Sequence, residues 1–246
     1  MCGLNVCERD IEKRRIMKRI GILGGVSPES TVSYYLRITR EYTHRFGDYS
    51  YPEILIYSVS FQHFVDWSQS GGWEPMAEEM IELLKRLSDG GAEIGLIAAN
   101  TLHRVFDEVE SESPIPLIHI VDPTADKITD RRMTKVGLLG TKYTMEGRFF
   151  VDRLARKGIE TLIPDGEKRD EIHRVIYQEL TKGQINVRSK EYYVDVINSL
   201  VARGAQGIIL GCTEIPLLIA EADSPVDLFD TALLHADAVL AASLEI

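Results

Sequence analysis

The sequence predicts an α/β protein made of two pseudo-symmetric, doubly wound lobes with parallel sheets and an active site in the cleft between them. Two observations carry this. Short apolar runs alternate with amphipathic segments along the whole chain, the pattern of strands and helices in a parallel sheet covered on both faces. The pattern also repeats. Arg19-Ile-Gly-Ile-Leu-Gly-Gly25 resembles Lys135-Val-Gly-Leu-Leu-Gly-Thr141. Ala92-Glu-Ile-Gly-Leu-Ile-Ala-Ala-Asn-Thr101 resembles Ala205-Gln-Gly-Ile-Ile-Leu-Gly-Cys-Thr-Glu214, and Pro116-Leu-Ile-His-Ile-Val-Asp122 resembles Pro225-Val-Asp-Leu-Phe-Asp230. Three matches in the same order argue for duplication. Two copies are too few for a solenoid and suit two lobes facing each other. The expected division is a flexible leader at 1–17, lobe 1 at 18–122 and lobe 2 at 123–230. A last helix at about 231–246 is free to pack back on lobe 1.

The elements follow in order. Residues 19–25 read as a buried strand ending in Gly24-Gly25. Ser27 caps a helix with Pro28 in its first turn, running to about Phe46 before Gly47-Asp48. Residues 54–59 are strand two. Met76, Met80, Ile81, Leu83, Leu84 and Leu87 fall at helical spacing over 73–88, which Gly90-Gly91 ends. Strand three covers 93–98, a helix opens at Thr101, and 116–121 is strand four. Asp122-Pro123-Thr124 caps a helix to about Thr129. The second half repeats the scheme: strand 135–140, helix 144–157, strand 159–163, helices 169–181 and 189–203, strand 206–211, a helix from Glu214, strand 226–229 and a helix from Ala232.

Composition narrows the function. The chain has 246 residues, 44% of them hydrophobic and 27% charged, an ordinary globular balance. A net charge of −10 argues against nucleic acid as a partner, because phosphate contacts need clustered Lys and Arg. No apolar run approaches the ~18 residues of a membrane span. The first residues lack an apolar signal core, so a cytoplasmic location is expected. Three cysteines, Cys2, Cys7 and Cys212, make no disulfide framework. Cys2 and Cys7 fall in the polar leader and are weak candidates for metal. The six histidines show no metal-ligand spacing.

Ligands of open parallel sheets bind beyond the carboxyl ends of the strands. The turns at Gly25–Ser27, Ala99–Thr101, Thr141–Thr144 and Cys212–Glu214 all lie there. Gly21-Ile-Leu-Gly24-Gly25 lacks the spacing of a dinucleotide fingerprint or a P-loop. It reads as a tight turn whose backbone N–H groups either close the turn or bind a carboxylate. Asn100, Thr101 and Thr213 sit where helix caps are needed and also where hydrogen bonds to an acidic substrate would come from. Cys212 is either a small buried hydrophobe or, at a helix start that lowers thiol pKa, a base or nucleophile. His103 and His173 are candidates only by position. Lys182 before Gly183 either complements a helix dipole or reaches a substrate carboxylate.

Gly24-Gly-Val-Ser27, Asn100-Thr-Leu-His103, Leu139-Gly-Thr-Lys-Tyr-Thr-Met-Glu146 and Gly211-Cys-Thr-Glu-Ile-Pro216 together resemble the aspartate/glutamate racemase superfamily, most closely its aspartate racemase branch, over about 18–245. The resemblance implies a racemase without cofactor, with two lobes and two acids facing each other across the α-carbon of an acidic amino acid. It also implies a homodimer. Cys212 matches the second of the family's two cysteines. Ala99 stands where a cysteine, or in some members a threonine, usually precedes Asn-Thr-x-His. On this reading Cys212 transfers the proton and Asn100, Thr101 and Thr213 hold the carboxylate and ammonium. Ser27 and Thr141 line the cleft, Lys182 meets the side-chain carboxylate, and Glu214 orients the ammonium or Cys212. Alanine has no exchangeable proton, so a single-cysteine decarboxylase or isomerase of the same superfamily, and a non-catalytic amino-acid-binding protein, stand beside the racemase.

Overall fold

The computed structural model describes residues 17–244. The leader with Cys2 and Cys7 therefore lies outside the described residues, apart from Met17.

Lobe 1 begins with strand β1 (Ile20–Gly24), helix α1 (Pro28–Phe46), β2 (Ile54–Ser58), α2 (Phe61–Ser70), α3 (Trp73–Asp89) and β3 (Ile94–Ile97). A 3-10 turn at Thr101–Val105, α4 (Phe106–Glu112) and α5 (Val121–Asp130) follow. Lobe 2 contains β4 (Lys135–Gly140), α6 (Lys142–Met145), α7 (Arg148–Ala155), β5 (Glu160–Leu162) and α8 (Gly166–Gln178). After a 3-10 turn at Leu180–Lys182 come α9 (Val187–Ala202), β6 (Gly207–Gly211), β7 (Asp227–Asp230) and α10 (Thr231–Leu244). All pairing in both sheets is parallel, in the orders β2-β1-β3 and β5-β4-β6-β7. β1 and β4 hold equivalent central places, as do β3 and β6 beside them. Their apolar side chains are buried on both faces, which is why these strands read as continuous hydrophobic runs.

The expected fourth strand of lobe 1, at 116–121, is reduced to one bridge, Gly95 with Leu117. Pro114 and Pro116 have no N–H to give a ladder. The chain then turns early into α5, with the Val121 N–H bonded to His119 Nδ1. The helix expected over 144–157 is two pieces, α6 and α7, parted at Gly147. The helix expected from Glu214 is a three-residue 3-10 turn, Ile215–Leu217, and Thr101 opens a 3-10 turn rather than an α-helix. α2 has no counterpart in the sequence reading, although Phe61, Phe64, Val65 and Ser68 carry helical spacing.

Two helices pack at the junction of the lobes. α5 spans the expected boundary at 122/123 and buries Val121, Ala125 and Ile128 in the core around β4 and β6. α10 leaves lobe 2 and buries Ala232, Ala236, Val239 and Leu240 against Ile20, Ile22, Ile94 and Leu96 of the first sheet and Tyr34, Ile38 and Tyr42 of α1. Arg37 of α1 forms a two-pronged pair with Asp237 of α10, at 2.7 and 2.6 Å. Burying one leucine side chain stabilises by roughly 1.5–3 kcal/mol, so these helix faces hold the lobes together far more firmly than one surface ion pair of about 0–1 kcal/mol.

Leu240 is fully buried. Leu240→Ala is expected to cost about 2–5 kcal/mol in urea denaturation, and a loss under about 1 kcal/mol would contradict this packing.

Candidate active site

Each central strand ends in a small residue so that the backbone can turn sharply at its carboxyl end. The tightest case is Gly25, with φ of 86°, where an added Cβ would lie 2.5 Å from the Val59 nitrogen. A side chain there is excluded by both conformation and space. The turn ends at Ser27, whose hydroxyl caps α1 by accepting from the Ser30 N–H at 3.3 Å. Ser27 also donates across the cleft to Glu214 Oε1 at 2.5 Å.

Glu214 is the hub. Its Oε2 accepts from the Thr213 hydroxyl at 2.8 Å and from the Cys212 thiol at 3.0 Å. This buried carboxylate therefore ties lobe 1 to lobe 2 and holds the thiol, and it sits at the N-terminal end of α1, where a helix favours negative charge. A second pair of turns meets nearby. The Thr101 hydroxyl of lobe 1 lies 3.0 Å from that of Thr141 and 3.4 Å from that of Thr144. Asn100 Nδ2 donates to the Thr231 hydroxyl at 2.9 Å, which donates in turn to the Leu210 carbonyl.

Between these contacts lies a cavity of about 510 Å3, counting space open to solvent. Ala99, Asn100, Thr101 and Leu102 line it from lobe 1, and Thr141, Gly211, Cys212 and Glu214 from lobe 2. Of the residues anticipated from the sequence, Ala99, Asn100, Thr101, Thr141, Cys212 and Glu214 thus come together. Ser27 and Thr213 stand one contact behind, on Glu214. Lys182 is exposed and does not line the cavity; its neighbour Thr181 does. His173 is partly buried on α8, its Nδ1 accepting the Lys142 N–H. Phe61, Phe64 and Ser68 of α2 and Ile176 and Tyr177 of α8 also face the cavity and were missed, the first three because α2 was missed.

The electrostatics reverse one expectation. A helix start was to lower the Cys212 thiol. No α-helix follows it, and burial, then the charge of Glu214, push the thiol well above its usual range. The backbone N–H groups of Thr213 and Glu214 pull the other way and are outweighed. Cys212 therefore rests as a thiol in contact with the Glu214 carboxylate. Ala99 has no such group. His103 Nδ1 donates to the Ala99 carbonyl at 2.8 Å and its Nε2 has no partner among the described residues. His103 is buried in a cluster with His119 and His235, and burial lowers all three imidazoles, His235 to about 4. Asn100 Oδ1 is likewise buried without a partner, on the cavity wall.

The two-lobed parallel α/β fold thus brings a thiol and a carboxylate to the cavity at the carboxyl end of β6. The chain belongs to the Asp/Glu/Hydantoin racemase family, whose model matches residues 23–239. It is 22% identical to the broad specificity amino-acid racemase RacX of Bacillus subtilis strain 168, over 87% of this chain and 92% of that one. An aspartate racemase homologue from Pyrococcus horikoshii is similar at 40% identity with a TM-score of 0.81, covering 93% of this chain and all of that one. The aspartate racemase of Picrophilus torridus shares the fold at 24% identity and a TM-score of 0.74, over 92% and 94% of the two chains. No helix among the described residues is long and apolar enough to cross a membrane.

Two measurements check the electrostatics. With Cys2 and Cys7 changed to serine, iodoacetamide is expected to alkylate Cys212 only at strongly alkaline pH, and Glu214→Gln to move that onset down by at least about one pH unit, as removal of a close negative charge requires. An unmoved onset would contradict the role of Glu214. For His235, a folded-state pKa below the usual 6.5 means that its neutral burial stabilises fully above pH 6.5, and that this stability is lost as pH falls toward 4. NMR titration is expected to show its ring neutral at pH 5.5; half-protonation near 6.5 would contradict its burial.

Proposed function

We propose that the protein moves the α-proton of an amino acid through Cys212, as a racemase that needs no pyridoxal phosphate, and that Ala99 makes its two faces unequal. The observation that carries this is the Cys212–Glu214 contact of 3.0 Å at the cavity wall. The thiol gives its proton to Glu214, and the thiolate then takes the α-proton. The electron pair left on carbon spreads into the α-carboxylate. Thr101 and Thr141 hold that carboxylate, and their hydroxyls favour the charge as it grows. Asn100 Oδ1, an acceptor without a partner, and Glu214 take the ammonium. Thr213 and Ser27 keep Glu214 in place through its two oxygens.

Return of the proton from Sγ regenerates the starting enantiomer. Inversion requires a proton from the opposite face, where the Ala99 methyl has none, so it must come from water or the Thr101 hydroxyl. The same asymmetry favours a second reading within the superfamily: a decarboxylase or isomerase, which needs protonation from one face only. Among the described residues no group of three or more His, Cys, Asp or Glu side chains is placed to hold a metal ion. By resemblance the working unit is a cytoplasmic homodimer.

Incubation of single enantiomers in deuterated water tests the reading. Deuterium is expected to enter the α-position of one enantiomer at least about tenfold faster than configuration inverts, and Cys212→Ala to remove the exchange, since a placed acid–base group contributes roughly 10^2–10^4 in rate. Exchange that survives Cys212→Ala would refute the thiol. Ala99→Cys is expected to raise inversion at least about tenfold by the same principle, and no gain would count against the facing walls.

A further inference from the structure

The cavity also has a largely apolar lining: Phe61 and Phe64 of α2, Ile176 and Tyr177 of α8, and Val26 and Leu102. Among the described residues no lysine or arginine lines the cavity, and the one charged group that does is the Glu214 carboxylate. The cations nearest in sequence are engaged elsewhere or exposed: Lys142 pairs with Asp170, Arg104 lies over the Trp73 ring, and Lys182 faces solvent.

Two hydroxyls of the lining are engaged as well. The Ser68 hydroxyl donates to the Phe64 carbonyl at 2.8 Å, and the Thr181 hydroxyl to the Tyr177 carbonyl at 3.1 Å. Each keeps only lone pairs, which repel a carboxylate. The phenol of Tyr177 is the one donor left among these lining side chains. Burial above all holds that phenol above its usual range, so it stays protonated.

From this we infer that the cavity selects amino acids whose side chain is uncharged, from aliphatic chains to those bearing a thioether or one hydroxyl, over the diacids aspartate and glutamate. The inference rests on the reading that an amino acid occupies the cleft. Charge accounting carries it. A zwitterion brings one ammonium and one carboxylate to a site that already holds one anion. A diacid adds a second anion with no cation to meet it and a single donor to bind it. An unpaired buried charge costs several kcal/mol, whereas an apolar side chain gains by leaving water for these rings. The chain is also similar to a broad specificity amino-acid racemase, RacX.

The test combines binding and exchange. Calorimetry on the Cys212→Ala protein measures affinity for the two enantiomers of alanine, leucine, methionine, aspartate and glutamate, and deuterium wash-in on the wild type measures turnover. Leucine or methionine is expected to bind at least about tenfold more tightly than either diacid, with kcat/KM in the same order, and Thr181→Lys to narrow the gap for aspartate at least about fivefold by supplying the missing cation. Selective binding of the uncharged amino acids with no exchange in any of them would sink the proton-transfer reading and leave this one standing. Diacids that bind as well or better, no binding by any of the ten ligands, or a gap that Thr181→Lys leaves unchanged would overturn it.

Discussion

The site is organised around one carboxylate. Glu214 accepts from Ser27 of the first lobe and from Cys212 and Thr213 of the second, so a single side chain closes the cleft and sets the thiol. Three donors on one buried anion compensate for its removal from water, which would otherwise cost several kcal/mol. The arrangement fixes direction as well. Glu214 raises the thiol by its charge and, in the proposed mechanism, is also the base within reach of the thiol proton. A group that both holds a proton on sulfur and can accept it is suited to reversible transfer.

That local geometry depends on where the helices go. Two lobes joined only by rim hydrogen bonds would leave the Ser27–Glu214 distance free to vary. The packing of α10 removes that freedom, because it follows β7 of the second sheet and is buried against the first. Thr231, first residue of α10, joins this packing to the site: it accepts from the Asn100 amide and donates a hydrogen bond to the Leu210 carbonyl of β6, the strand that leads into Cys212. Proton chemistry at carbon requires reacting atoms about 3–3.5 Å apart in fixed orientation, and a rigid pair of walls supplies this better than mobile loops.

The repeat made the architecture legible. Apolar strands that end in small residues give the same signal in both halves, so β1, β3, β4 and β6 and the turns at Ala99 and Cys212 could be placed before any coordinates. What the pattern concealed was local. Two prolines turned the strand at 116–121 into a single bridge, because proline removes the donor a ladder needs. Pro216 lies within a short turn where a helix was anticipated, and with the helix went the reason to place the Cys212 thiol low. Lys182 has the right charge for a diacid and the wrong position. The apolar part of the lining is not legible in the sequence because α2 has no counterpart in the sequence reading and an uncharged wall leaves no motif; Phe61, Phe64 and Ile176 look like any core residues until they are seen around a hollow.

The most direct measurement of the central claim is a crystal structure with an amino acid in the cleft. The account predicts the α-carbon within about 3–3.5 Å of Cys212 Sγ on one face, with the Ala99 methyl on the other, as a reacting geometry demands. A ligand whose α-carbon is turned away from the sulfur, or held outside the two walls, would contradict it.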